Sequence, residues 1–386
     1  MNGEGNCKEP WSGFVKDRVT VITPVYNGES HLAFMLDSVL GQTYPHIEMT
    51  LIDDGSTDRT VEVAESYRDK FRAKGYGYRI IRGFHKNASA AVNGGLPYVT
   101  GEFLIWPDSD DILEPESVEK RAAFLKAHPT YGAVRSQSYY FDRDKGMLDK
   151  SDEKIGDPDR EELFWDILEF KTYVCCGCYM VRSEEFFKIY PERRIPEYPV
   201  GQNFQMLLPF MYRHRCFTIR EPLYGVCVRE GSHSRTPLGR EEEEQKYRDY
   251  ESLVDEIAGI CGIRDKASKR RILCWKVKRR YEIAWKYGER KQMAKALFHL
   301  CLCGRSGLKL FGERVRILWK HNRIAGVKTW LYWRFRIGTA KVLGVCIRGW
   351  KKTAGWCVRK GGWVYWRVRI WRANRRRKGK KESEDN

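Results

Sequence analysis

The stretch VTVITPVYNG, residues 19–28, decides the fold. Val19 to Thr23 is a β-branched apolar run, the composition of a strand buried on both faces, and Pro24 closes it with a turn. A helical pattern follows, with Leu32, Met35, Leu36, Val39 and Leu40 at spacings of three and four. Met49 to Ile52 is a second buried strand, closed by Asp53-Asp54-Gly55-Ser56. Thr57 or Asp58 then caps a helix carrying Val61, Val63, Ala64 and Tyr67. Tyr78 to Ile81 reads as a third strand, Ala88 to Val99 as a short helix and Phe103 to Trp106 as a fourth strand. Strands and helices alternating at this pitch predict a parallel sheet with right-handed crossovers.

In such sheets a ligand lies beyond the carboxyl ends of the strands. Tyr26-Asn27 follow the first strand, Asp53-Asp54 the second and Asp108-Ser109-Asp110-Asp111 the fourth. Three strand ends therefore converge on one site. No G-x-G-x-x-G follows the first strand, which removes a nicotinamide dehydrogenase.

Beyond residue 115 the pattern becomes mixed. Ser117 to His128 reads as a helix, Gly132 to Tyr140 as a strand, and Tyr173 to Arg182 as a strand broken at Gly177. Gln202 to Arg213 is helical, Phe217 to Arg229 forms strands around Pro222, and Thr236 to Glu244 reads as a polar linker. From Tyr247 onward the periodicity is helical. The division predicted is an N-terminal segment 1–18, a catalytic domain 19–240 and a basic, Trp-rich helical region 241–386.

Of the 386 residues 42% are hydrophobic and 31% charged, enough apolar material for a core. The formal charge is +19. Residues 321–386 hold 19 Lys or Arg against Glu382, Glu384 and Asp385, so nearly all the excess lies in the tail. Such a tail implies an anionic partner. Met1 to Arg18 has no apolar h-region and no window of 18 apolar residues occurs, which predicts neither signal peptide nor membrane span. The twelve cysteines fall irregularly and read as reduced, buried thiols of a cytoplasmic protein. Cys175, Cys176 and Cys178 lack a second Cys/His pair at zinc spacing, so core thiols are favoured over a metal knuckle.

The acidic turns allow specific chemistry. Carboxylates two apart in Asp108-Ser109-Asp110-Asp111 can reach a hard divalent cation, leaving its other positions for water and phosphate. The bland alternative is a solvated acidic turn that caps a following helix, since Asp111 precedes Ile112-Leu113. Asp53-Asp54 can accept hydrogen bonds from a base or ribose, or can simply shape a strand-to-helix turn. Tyr26 is a packed aromatic or a platform for a nucleobase.

Taken in order, Val19 to Gly28, Leu36-Asp-Ser-Val-Leu-Gly-Gln-Thr-Tyr44, Ile52-Asp-Asp-Gly-Ser-Thr-Asp58 and Asp108-Ser-Asp-Asp111 resemble the family 2 glycosyltransferases. The likeness runs to Arg235 and includes Gly177 to Arg182, Gly201 to Pro209, Glu221 to Tyr224 and Arg229 to Arg235, similar to bacterial members that assemble surface polysaccharides. It implies an inverting enzyme with a GT-A, Rossmann-like α/β fold that uses a nucleoside-diphosphate sugar, UDP-linked, and Mg2+ or Mn2+. Carried over, Pro24, Tyr26 and Asn27 line the nucleobase pocket and Asp53 or Asp54 contacts base or ribose. Asp108 meets the ribose or phosphate side. Asp110 ligates the metal, with Asp111 as the alternative, and His233 is a late ligand to metal or diphosphate or else an exposed loop histidine.

One departure matters. Where the family places a Glu-Asp pair that includes the base, this chain has Gln202 and Asn203, amides that take no proton at neutral pH. Another carboxylate serves, or the amides orient an acceptor deprotonated elsewhere, or the enzyme is impaired; the intact aspartates favour orientation.

Seven of thirteen tryptophans (Trp330, Trp333, Trp350, Trp356, Trp363, Trp366 and Trp371) share the tail with its basic residues. Indoles beside cations suit an anionic membrane interface. Packing on the catalytic domain is the second reading; nucleic acid is disfavoured for want of any module. The expected protein is thus cytoplasmic and peripheral at the inner face of the cell membrane, acting on a glycan or lipid-linked acceptor. Its rival is a non-catalytic, membrane-associated scaffold of a polysaccharide-assembly complex.

Overall fold

The computed structural model describes residues 13–142, 146–150, 156–228 and 238–303, and single positions up to 314. His233 and the tryptophan-bearing tail lie outside the described residues. The chain forms two compact units, the first ending at Ile263 and the second beginning at Arg264.

The first unit is built on one sheet. Its parallel half runs, in spatial order, β3 (Gly77–Arg82), β2 (Ile47–Asp53), β1 (Val15–Val25) and β4 (Gly101–Ile105). Val19, Val21, Ile22, Met49, Leu51, Phe103, Leu104 and Ile105 are almost wholly buried there, as expected of strands covered on both faces. Helix α1 (Leu32–Leu40) buries Leu32, Met35, Leu36 and Val39, the stripe that its spacing predicts. Each such side chain contributes roughly 1.5–3 kcal/mol by leaving water. Helices α2 (Thr60–Ser66), α3 (Arg68–Lys74) and α4 (Ala88–Gly95) complete the crossovers.

The mixed half begins at β4, which pairs antiparallel with β8 (Tyr179–Arg182). Beyond it lie β6 (Ala133–Asp142), β9 (Cys216–Cys227) and the two-residue β5 (Ile112–Leu113), while β7 (Gly146–Lys150) forms a hairpin with β6. Helices α5 (Ser117–Ala127), α6 (Phe164–Leu168), α7 (Ser183–Ile189) and α8 (Gln202–Met211) flank this half.

Four expectations are adjusted. The helix from Ala88 ends at Gly95 and tightens to a 3₁₀ turn over Leu96–Tyr98, where Gly94-Gly95 and Pro97 disfavour continuation. Of the expected strand Tyr173 to Arg182, only Tyr179–Arg182 is strand; Cys176–Cys178 is a 3₁₀ turn. Asp111 precedes a strand rather than a helix. The supposed linker already contains the start of α9 (Arg240–Ile260), whose Glu242 carboxylate accepts from the Gly239 N–H at 2.8 Å. The acids Glu241 to Glu243 read as linker composition, yet they are the residues that a helix N-terminus favours. Helix α9 packs against α8 within the first unit, with Tyr250 edge-on to Phe204.

The second unit holds α10 (Lys266–Lys286) and α11 (Arg290–Leu302), joined through Val277, Tyr281, Ala284, Met293, Leu297 and Leu300. Among the described residues no helix is long and apolar enough to cross a membrane.

Candidate functional site

The strand order reverses between β1 and β4, the switch point at which open α/β sheets bind ligands. Pro24 stands at that boundary. The Val19 amide points to β2, donating to His46 O at 2.9 Å, so from Val19 onward the even-numbered amides face β4. β1 leaves β4 after Val21 but stays paired with β2 through Pro24 and Val25. Proline thus lacks its N–H on the side where the two strands part, and no ladder bond is lost.

Beyond Val25 the chain turns at Asn27, which has a positive φ of 49°. This turn is laced to the loop after β2. The Asn27 amide donates to Ser56 Oγ (2.9 Å), the Thr57 amide to Asn27 Oδ1 (2.9 Å), and the Gly28 amide to Thr60 Oγ1 (2.6 Å). Asn27 therefore fixes this turn against the loop after β2, and Asp58 accepts from the Thr60 amide at the start of α2. Asp53 and Asp54 are both buried. One Asp53 oxygen accepts from the Ser56 amide at 3.1 Å. Asp54 holds Nδ1 of His85 at 3.1 Å, and burial raises its carboxyl above the usual range, with His85 opposing that shift.

The His85 ring lies flat on Tyr26, centroids 3.9 Å apart and planes 20° from parallel. Gly55 makes this approach possible: its φ is +77° and a Cβ there would stand 2.9 Å from the His85 amide nitrogen. His85 was not among the residues singled out from sequence. It follows β3, the one parallel strand whose end was left out of the convergence, so the strand-end argument would have found it.

The acidic turn closes through Asp111 N–H to Asp108 O at 3.3 Å. Asp108, Ser109 and Asp110 are half-buried and Asp111 is buried. Burial, and then the Asp110 charge, push the Asp108 carboxyl up to about 6. Asp111 is raised further by burial and by both neighbouring carboxylates. Its oxygens are committed: Oδ1 accepts from the Cys227 amide and Oδ2 from the Tyr224 hydroxyl, each at 2.8 Å. The exchange of roles between Asp110 and Asp111 allowed by the sequence is thus disfavoured, because Asp111 anchors the turn to β9.

The two clusters communicate through buried His31, whose Nε2 lies 3.5 Å from Ser109 Oγ, in the turn that begins at Gly28. Beneath the acidic turn, the Cys176 thiol faces the Asp108 carboxylate and the Cys175 thiol faces that of Cys178. The eight described cysteines are free thiols, seven of them buried.

Gln202 and Asn203 form the first turn of α8, after Gly201. That turn is tied to the start of α4, where Ser89 Oγ donates to Gln205 Oε1 at 2.5 Å. Since α4 opens just after His85, this bond sets the first turn of α8 beside the start of α4. Asn203 Oδ1 is buried without a hydrogen-bond partner among the described residues. Among the described residues no three His, Cys, Asp or Glu side chains converge on an ion. A cation at the acidic turn would take one or two carboxylate oxygens and complete its shell with water and phosphate, a set that suits Mg2+ or Mn2+.

Residues 20–190 match the family model described as glycosyl transferase family 2. Glycosyltransferase GlyA of Streptococcus pneumoniae is 28% identical over 232 residues, 57% of this chain and 32% of its own length. The Bacillus subtilis protein EpsE is 28% identical over 54% of this chain and 72% of its own. The chain thus spans about a third of the first relative and most of the second. In fold it is similar to S. aureus TarS 1-349 in complex with UDP-GlcNAc, with a TM-score of 0.55 and 18% identity over 81% of this chain and 89% of that one.

Proposed function

Since the chain carries a family 2 glycosyltransferase domain on a GT-A fold, we propose that it is an inverting, metal-assisted enzyme. It transfers a hexosyl or N-acetylhexosaminyl group from a UDP-linked sugar to a hydroxyl of a glycan or lipid-linked acceptor in bacterial surface-polysaccharide assembly. The observation that carries the reading is the pairing, at one switch point, of the Tyr26–His85–Asp54 stack with the acidic turn Asp108–Asp111. The UDP-GlcNAc held by TarS supports the choice of donor class.

In this reading His85 covers one face of Tyr26 and the nucleobase takes another side of the ring, which is 36% exposed. Pro24 and Asn27 line the pocket. Asp54 orients His85, which leaves the second oxygen of Asp53, unbonded among the described residues, for the base or ribose. Asp108 faces the ribose or phosphate side, and Asp110 holds the cation with Asp108 beside it. When bound, Mg2+ or Mn2+ neutralises the leaving diphosphate. A raised carboxyl pressed by a second one is the electrostatic setting that such an ion relieves. Gln202 and Asn203 orient the acceptor hydroxyl, and its proton goes to another group. His233, outside the described residues, remains the proposed late ligand.

Titrating the protein with UDP, with and without Mn2+, and then with a panel of nucleotide sugars tests this reading. UDP is expected to bind with a Kd on the order of 1–100 μM only when metal is present. Inertness towards every nucleotide would sink the enzyme reading and return the scaffold.

We also place the protein at the inner face of the membrane, and α10 supports this. The helix holds nine Lys or Arg against Glu282. Lys266, Lys269 and Arg270 are exposed, make no ion pair among the described residues, and crowd a helix N-terminus where positive charge opposes the macrodipole. Leu273, 45% exposed, shares their face one turn on. Cations around an exposed aliphatic side chain suit an anionic lipid surface. At about 1 kcal/mol per cation, changing all three to Gln should weaken partitioning onto phosphatidylglycerol vesicles about a hundredfold. Equal co-sedimentation of variant and parent would remove α10 from that role.

A further inference from the structure

The acidic turn is held from behind by one hydroxyl. Tyr224, on β9 and wholly buried, accepts the Asp108 amide at 3.2 Å and donates to Asp111 Oδ2 at 2.8 Å. A single oxygen therefore bridges both ends of the turn whose middle carries Asp110. Asp111 extends the brace by accepting the Cys227 amide, three residues farther along the same strand. The ring is set independently of the hydroxyl: it lies over Gly177, where a Cβ would fall inside the space that the ring fills. Arg121, also buried, fixes that glycine by donating to its carbonyl at 2.6 Å. A phenyl ring would occupy the same place, so the hydroxyl serves the turn rather than the packing.

We propose that Tyr224 is a positioning residue of the donor site, aiming the Asp108 and Asp110 carboxylates at the diphosphate-bound cation without touching it. This rests on the reading of the acidic turn as the diphosphate side of the site. Without the hydroxyl, the Asp108 N–H and Asp111 Oδ2 lose their buried partner and the turn is free to rotate its middle residues. The base side, built on Tyr26, His85 and Asp53, keeps its own tethers through Asp54 and the Ser56 amide.

The test is a Tyr224→Phe variant, titrated with UDP at fixed Mn2+ and with Mn2+ at fixed UDP. Val134→Ala serves as a control that weakens the same half of the sheet at a fully buried position of β6. Both are measured well below their unfolding temperatures. Y224F is expected to weaken metal-dependent UDP binding about tenfold and raise the half-saturating Mn2+ concentration similarly. V134A is expected to match the parent in both. Parental behaviour of Y224F, or equal losses in the two variants, would overturn the proposal while leaving the donor reading intact. If the parent itself shows no metal-dependent UDP binding, the donor reading fails, and the proposal fails with it.

Discussion

Asp110→Asn is expected to abolish transfer, by about 10³-fold or more, while the metal-free protein unfolds at the same temperature as the parent or slightly higher. On the proposed reading, the loss follows from removing the carboxylate assigned to the cation that compensates the leaving diphosphate. The stability result follows from the charges. Asp110 raises the carboxyls of both Asp108 and Asp111, and the amide removes that repulsion in the metal-free protein. A transfer assay with whichever donor the parent uses, alongside thermal unfolding in EDTA, reads both quantities. Activity near the parent's would take Asp110 out of the chemistry.

The adjacent residue should behave in the opposite way. Asp111→Ala is expected to destabilise the first unit by about 2–4 kcal/mol, because it strips the Cys227 N–H and the Tyr224 O–H of their acceptor in a buried setting. Relief of the raised carboxyl offsets part of that loss and keeps the figure below the sum of two orphaned groups. Asp111→Asn retains one acceptor oxygen and should lose about half as much. Urea unfolding of the three proteins decides it: a change under about 0.5 kcal/mol for Asp111→Ala would mean that the brace does not hold the turn. Asp110 then acts on turnover, whereas Asp111 acts on the fold and, through the brace that it shares with Tyr224, on the donor side as well.

The same two residues show how far sequence reading reaches. Asp110 and Asp111 are indistinguishable by residue type and sit in one turn. Their difference comes from Tyr224 and Cys227, more than a hundred residues away. Likewise Tyr26 was legible as an aromatic at a strand end, but the ring covering it belongs to His85, across two strands. The acids that open α9 read as a linker because composition reports polarity, whereas a helix start depends on which amide each carboxylate meets.

Periodicity along the chain sufficed for the parallel half of the sheet, since alternation and helical spacing record burial directly, and β1, β2 and β4 are buried on both faces. It also sufficed to put Tyr26, Asp53, Asp54 and Asp108 at strand ends, because a parallel sheet carries all those ends to one edge. Which aspartate is tied to β9, which face of Tyr26 is covered and where the amides of α8 sit were decided by tertiary contacts alone. Those are choices among chemically equivalent partners, made by hydrogen bonds between segments far apart in sequence, and local pattern has no term for them.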